Sequence, residues 1–301
     1  LGGAVAFGSS SNTQRAFDEP ERPEQVAYVA ETGEGDSDIW IKNLRDSLPP
    51  VKLVDSDFCD TDPCFSRDGK KLYFSSDRDD GNFDIYCEDL SIFSKNPNEP
   101  KIKKLTEGPG DFRFPSLPPD EKKLAFNWGR GMVQYICVMN VDGTGLKRVT
   151  EKGMNVRPFW LNDEEIIFGS NVGRSEREFD IVAGRIDGIG GIRRITDGIG
   201  NNTYLSLSPE RERIAFASDR GNLDEKDRRK RKYGIFVKDL VSGELIDLTK
   251  GIGNNRSPCF SRDGKDVYFV NDYGLCSVSA DGKGEVKEII KGEIYSPACA
   301  P

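Results

Sequence analysis

One phrase occurs twice almost unchanged and constrains this chain more than any other feature. It runs Pro63-Cys64-Phe65-Ser66-Arg67-Asp68-Gly69-Lys70-Lys71-Leu72-Tyr73-Phe74 and returns as Pro258-Cys259-Phe260-Ser261-Arg262-Asp263-Gly264-Lys265-Asp266-Val267-Tyr268-Phe269. Asp-Gly between two short apolar runs is a hairpin signal, because the turn needs residues that tolerate positive φ. Weaker copies start at Pro115 and Pro158, and another has Leu205 in the proline place. After each turn comes a strand whose apolar column is Val26, Leu72, Leu124, Ile166, Ile214 and Val267. The next strand supplies Ile39, Ile85, Ile136, Ile181, Ile235 and Leu275, and the last supplies Leu53, Leu105, Val149, Ile195, Leu248 and Ile289. In four copies Thr follows that last column: Thr106, Thr150, Thr196 and Thr249.

Successive members of each column lie 40 to 54 residues apart. A four-stranded unit at this period is the mark of a propeller blade. A lone four-stranded sheet has two faces to cover, and stacking blades in a ring covers both. The alternating apolar positions are then blade-to-blade core. The fold class is therefore all-β, a propeller of four-stranded antiparallel blades, with six complete sets favouring six blades over seven. The tail Tyr295-Ser296-Pro297-Ala298-Cys299 reads as an inner strand without a blade of its own and fits the first unit, so terminal strands pair to close the ring. Residues 1–301 form one domain, with 22–299 as the six blades and 1–21 as a clasp strand or part of a degraded blade, Ala4 to Ser9 being its strand-like stretch. The chain opens Leu1-Gly2-Gly3 without Met, as expected of a processed or trimmed product.

Pro-x-Phe-Ser-x-Asp-Gly-Lys occurs with two further phrases, Ser-Asp-Arg (Ser76-Asp77-Arg78, Ser218-Asp219-Arg220) and Asp-Ile-Tyr (Asp84-Ile85-Tyr86, with Asp38-Ile39-Trp40 as a variant). Together they resemble the PD40, or WD40-like, repeat of TolB-type propellers over residues 22 to 299. The resemblance implies fold more than function. The same repeat builds TolB, a protein-docking module, the propeller of prolyl-oligopeptidase-like peptidases, and oligogalacturonide lyases. The peptidases need an α/β-hydrolase domain and a Gly-x-Ser-x-Gly motif, neither of which is found here. The lyases hold metal largely through histidine.

Histidine is absent from all 301 residues. That removes Ser-His-Asp and Cys-His catalysis, His-ligated metals and any imidazole acid or base. Net charge is −8, which argues against sequence-independent nucleic-acid binding. No apolar run is long enough to span a membrane, and no signal peptide is visible. The seven cysteines are odd in number and lack C-x-x-C, so they read as small buried residues, with Cys64 and Cys259 in equivalent inner-strand places. The sequon Asn201-Asn202-Thr203 is compatible with secretion, and an extracytoplasmic location is the reading favoured.

Propellers bind at the channel mouth. Residues just before each inner strand are the candidates: Asp60 and Asp62, Arg113, Asn155 and Arg157, Asn202, Asn255 and Arg256, and Tyr295. Three arginines at matching ring positions suit a carboxylate, sulfate or phosphate. Trp128, just past a strand, is the candidate for stacking a ring. Trp40 falls in a core column, and Trp160 reads as half buried.

Asp77 to Glu88 has calcium-loop spacing, but Asn82 stands where Gly is required and strands flank it, so turn chemistry explains it. Asp224 to Lys232 is a charged insertion and reads as a solvated loop. The leading function is a non-enzymatic binding module for a protein segment or an anionic small molecule at the mouth, with no metal or cofactor, as a monomer. The alternatives are a His-independent lyase or cyclase in the same funnel, and a carbohydrate-binding lectin.

Overall fold

The computed structural model describes residues 25–31, 35–90, 102–175, 178–227, 230–251 and 253–299; the expected clasp at 1–21 lies outside them. Each repeat folds into one four-stranded antiparallel sheet, and there are six among the described residues. Blade 1 contains β1 (Gln25–Glu31), β2 (Ser37–Asn43) and β3 (Val51–Val54). Blade 2 follows with β4 (Asp60–Phe65), β5 (Lys71–Ser76), β6 (Asp84–Asp89) and β7 (Ile102–Lys104). Blade 3 is β8 (Asp111–Ser116), β9 (Lys123–Arg130), β10 (Val133–Asn140) and β11 (Lys147–Arg148). Blade 4 is β12 (Asn155–Trp160), β13 (Glu165–Ser170), β14 (Asp180–Arg185) and β15 (Ile192–Arg194). Blade 5 is β16 (Asn202–Leu207), β17 (Arg213–Ser218), β18 (Gly234–Asp239) and β19 (Leu245–Asp247). Blade 6 is β20 (Arg256–Phe260), β21 (Asp266–Asn271), β22 (Gly274–Ser279) and β23 (Lys287–Lys291).

The C-terminal strand β24 (Ile294–Cys299) pairs antiparallel with β1 and becomes the inner strand of blade 1. The last segment of chain thus completes the first sheet, and inner strands touch in ring order, β24–β4–β8–β12–β16–β20–β24. All twelve members of the first two columns, Val26 to Val267 and Ile39 to Leu275, are fully buried, at 0% exposure. They belong to six separate apolar clusters, each lying between two adjacent blades and the sixth between blades 6 and 1. Sequence alternation thus becomes a ring of six interfaces, because a strand buries alternate side chains on opposite faces.

The recurring short phrases are structural joints. The Thr after the outer strand accepts from the backbone N–H of the third-strand Ile: Ile85 to Thr106, Ile136 to Thr150, Ile181 to Thr196 and Ile235 to Thr249. Thr106 and Thr196 also donate to the Asp that opens that strand, Asp84 and Asp180. In Ser-Asp-Arg, Arg78 donates to Ser76 and to Asp60 at the start of the inner strand, while its guanidinium covers Phe74 and Tyr86. Arg220 repeats this with Ser218, Asn202, Phe216 and Phe236.

Cys259 departs from the reading of buried thiols, since it is disulfide-bonded. Its blade 2 equivalent Cys64 is free, and burial pushes its thiol up to about 12. Equivalent positions in the repeat therefore do different chemistry.

Candidate functional site

Each inner strand carries a bulge at the same place. One extra residue is inserted on β4 between the pairs Thr61–Ser75 and Cys64–Tyr73, and the same shift occurs in the other five blades. The residue before the proline column takes a left-handed backbone in every blade: Asp62 (φ 55), Phe114 (φ 60), Arg157 (φ 54), Tyr204 (φ 52), Ser257 (φ 51) and Ser296 (φ 42). Proline suits the next place because the inner strand is a sheet edge facing the channel, where a missing N–H costs no ladder bond and blunts the edge. None of the six is glycine, although non-glycine residues rarely adopt positive φ.

Those six residues and the column after them line a central cavity of about 1120 Å³. It runs from the bulges to the Asp-Gly hairpin end, where Arg67, Asp68, Glu121, Arg211 and Arg262 border it. Its wall between is apolar, built from Pro63, Pro115, Pro158, Leu205, Pro258 and Pro297 with Phe65, Phe159 and Phe260.

Arg157 dominates the deep end. Its guanidinium lies 4.0 Å from the centre of the Phe114 ring and 4.6 Å from that of Tyr204, one ring from each neighbouring blade. The backbone N–H donates to Asn127, but the guanidinium has no hydrogen-bond or ion-pair partner among the described residues. Burial pulls its proton affinity below the ordinary arginine value, with Asp62 opposing that shift. Asp62 is held from blade 3 by Arg113, whose Nε donates to Oδ2 at 3.1 Å. The Arg113 guanidinium covers Phe83 and Phe114.

Of the nine residues expected at a mouth, Asp62 and Arg157 line this cavity, which extends from them toward the hairpin end of the inner strands. Asp60, Asn155 and Asn202 are buried at the first residue of their inner strands and Asn255 is buried just before β20, and three of the four bind back to the preceding blade. Asn155 donates to the Gln134 carbonyl, Asn202 to Asp180 and Asn255 to the Tyr233 carbonyl. Arg113, Arg256 and Tyr295 occupy the next column, so the three arginines are not in one register: Arg157 stands one residue further on, in the bulge. The Arg256 Nε is buried without a partner, and burial raises the Tyr295 hydroxyl.

Trp128 lies within β9, not past its end, half-buried against Phe112 at 5.9 Å with its indole N–H on the Pro109 carbonyl. Trp160 is completely buried and donates to the Ser116 carbonyl. The carboxylates of the Asp77–Glu88 stretch serve local partners: Asp77 accepts from the Cys59 N–H, Asp80 from Asn82, and Asp79 and Asp84 both pair with Lys104. In the charged insertion, Arg231 folds back onto Asp219 and the Glu225 carbonyl. Sequence reading missed Phe114 and Tyr204 as site residues; the available signal was their place directly before the proline column.

No family model matches the sequence, and no curated protein matches it. Solved structures do. TolB from Acinetobacter baumannii superposes with a TM-score of 0.73 at 23% identity, covering 92% of this chain and 67% of that one. The fold is that of a TolB-like six-bladed propeller. A chain of a nidogen/laminin complex matches at TM-score 0.67 and 13% identity over 92% of this chain and 98% of its own. An oligogalacturonate lyase in complex with manganese matches at 0.58 and 11% over 89% and 74%. The neighbours of this TolB-like propeller thus include both binding proteins and enzymes.

Proposed function

We propose that this chain is a non-catalytic binding propeller that takes the anionic part of a protein segment or small molecule into its central cavity, against Arg157. One observation carries the reading: a half-buried guanidinium without a hydrogen-bonding partner, held between two aromatic rings at the end of an apolar cavity. Guanidinium donors left unused in a partly desolvated place gain when a ligand completes them. An incoming carboxylate would meet a charge-assisted donor already fixed by stacking. The likeness to TolB and to a chain of a nidogen/laminin complex supports a protein segment as the natural ligand.

The catalytic alternative needs two carboxylates, or a Tyr–Arg pair, at hydrogen-bonding distance in the depth of the funnel. Tyr204 offers Arg157 its ring face, a geometry for holding the cation. Asp62 stands deep, while Asp68 and Glu121 stand at the hairpin end. This arrangement favours binding. The disulfide at Cys259 supports an oxidising, extracytoplasmic setting. Isothermal titration of benzoate and succinate tests the anion site. Arg157→Gln is expected to weaken binding at least tenfold, on the order of one charge-assisted hydrogen bond, whereas Arg256→Ala, off the cavity, leaves it unchanged. Equal affinities for wild type and Arg157→Gln would overturn the reading.

A further inference from the structure

Two polar groups at the deep end of the cavity lack partners, and they are of opposite kind. The Asp62 side chain is only 3% exposed. Its Oδ2 is fully engaged, accepting from Arg113 Nε and from the Thr61 hydroxyl at 3.2 Å. Its Oδ1 is buried and accepts no hydrogen bond. Arg113 also donates to the Thr61 hydroxyl at 3.1 Å, so Asp62 is braced with Oδ1 left over. Arg157, held between Phe114 and Tyr204, presents unused donors to the same space. Arg157 and Asp62 interact electrostatically without forming an ion pair. A group lodged between them must accept at one end and donate at the other.

We propose that the cavity captures the free C-terminus of an apolar peptide segment, with the terminal carboxylate on Arg157 and the N–H of the last residue on Asp62 Oδ1. This rests on the reading that the deep end holds an anion, and it specifies which one. A peptide C-terminus carries a carboxylate and an N–H on adjacent positions of one carbon, matching an acceptor–donor pair that a simple anion leaves half unused. The charged groups there are two guanidiniums and one carboxylate, Arg113, Arg157 and Asp62, so one positive charge is left over. A single carboxylate neutralises it, whereas a phosphate dianion would overshoot. The wall of five prolines, one leucine and phenylalanines offers apolar contact along the path to the open end. The volume of about 1120 Å³ slightly exceeds the usual range for a drug-sized ligand, about 300–1,000 Å³, and so suits several residues more than one amino acid. Asp62 and Arg157 hold equivalent left-handed places in blades 2 and 4, and both line the cavity.

The test uses the full chain immobilised and two degenerate libraries of acetylated apolar pentapeptides, one with free C-termini and one amidated. Retained peptides are quantified by mass spectrometry. Free acids are expected to be retained about tenfold or more over amides, a preference that Arg157→Gln abolishes. The best free acid is then N-methylated at its last residue. This is expected to weaken binding to the wild type by about tenfold and to make no difference to Asp62→Gly, which keeps the left-handed backbone. Equal retention of both libraries overturns C-terminal capture. An N-methyl effect that survives in Asp62→Gly overturns the part given to Asp62. If benzoate binds through Arg157 while free acids gain nothing over amides, the anion site stands and the peptide proposal fails. If no carboxylate binds, both fail. Should either variant fold poorly by calorimetry, the acid, amide and N-methyl comparison on wild type decides alone.

Discussion

Glu88 is the least comfortable acid among the described residues, and its titration should be visible in stability. It sits in β6 at 2% exposure, opposite Leu72 and Ile102 in the sheet. Other blades place Met139 or Val278 at the equivalent site. Its Oε2 has no hydrogen-bond partner. Burial lifts its pKa from 4.5 to about 7; Arg78 pulls the other way and Asp60 reinforces the rise. The folded state therefore holds a proton that the unfolded chain releases near pH 4.5. Stability from this group is constant below pH 4.5, falls as pH rises through the interval to about 7, and levels off above it. At about 1.36 kcal/mol per pKa unit the loss is on the order of 3 kcal/mol. Glu88→Gln removes the titration while adding a roughly constant offset from a buried amide. The gap in Tm, variant minus wild type, should thus widen in the variant's favour by about 5 °C between pH 4.5 and pH 8, from about 2.1 cal/mol/K of unfolding entropy per residue. Scanning calorimetry in buffers of matched ionic strength reads this directly. A gap that stays flat across that range would show that Glu88 titrates normally and that its burial is not felt.

Other perturbations probe the joints of the ring. Thr106→Val removes a hydroxyl that both donates to Asp84 and accepts from Ile85 N–H, whereas the Thr249 hydroxyl, among the described residues, only accepts from the Ile235 N–H. Urea unfolding should show a loss of about 2–3 kcal/mol for Thr106→Val and about 1 kcal/mol for Thr249→Val; equal losses would refute the Asp84 contribution. Gly274 has φ 145°, and a Cβ there would stand 2.0 Å from the Ile290 carbonyl oxygen. Gly274→Ala should therefore lower stability by roughly 3 kcal/mol or more, while Gly221→Ala, with open space around it, stays within about 1 kcal/mol of wild type by the same measurement. Deleting residues 294–301 strips blade 1 of its inner strand. The single cooperative melt should broaden or split, and an unchanged transition would mean that ring closure adds nothing to stability.

The blade columns were legible because each depends on local rules. Alternation places Leu72 and Ile85 on buried faces, Asp68-Gly69 makes the turn, and six repetitions of the set leave little choice but a ring. Even the donation of the last strand to the first sheet could be seen, since Tyr295 to Cys299 had the inner-strand pattern without the rest of a blade. The Thr and Ser-Asp-Arg phrases were visible as repeats, yet their partners Asp84, Asp60 and Asn202 were not, because those bonds link strands or blades.

The site was decided one level higher. Arg113 and Arg256 stand two residues before the proline column and Arg157 only one, but it is the one-residue bulge shared by all six inner strands that decides which of these places faces the space. It sends Arg157 into the cavity and leaves Arg113 as the brace of Asp62. Which end of the ring is hollow also lay beyond local reading, for it depends on how six inner strands converge. Chain-local periodicity determined that there would be a wheel of six sheets; only the packed ring determined where it is open and which guanidinium faces the space, because both are properties of neighbouring blades and not of any single one.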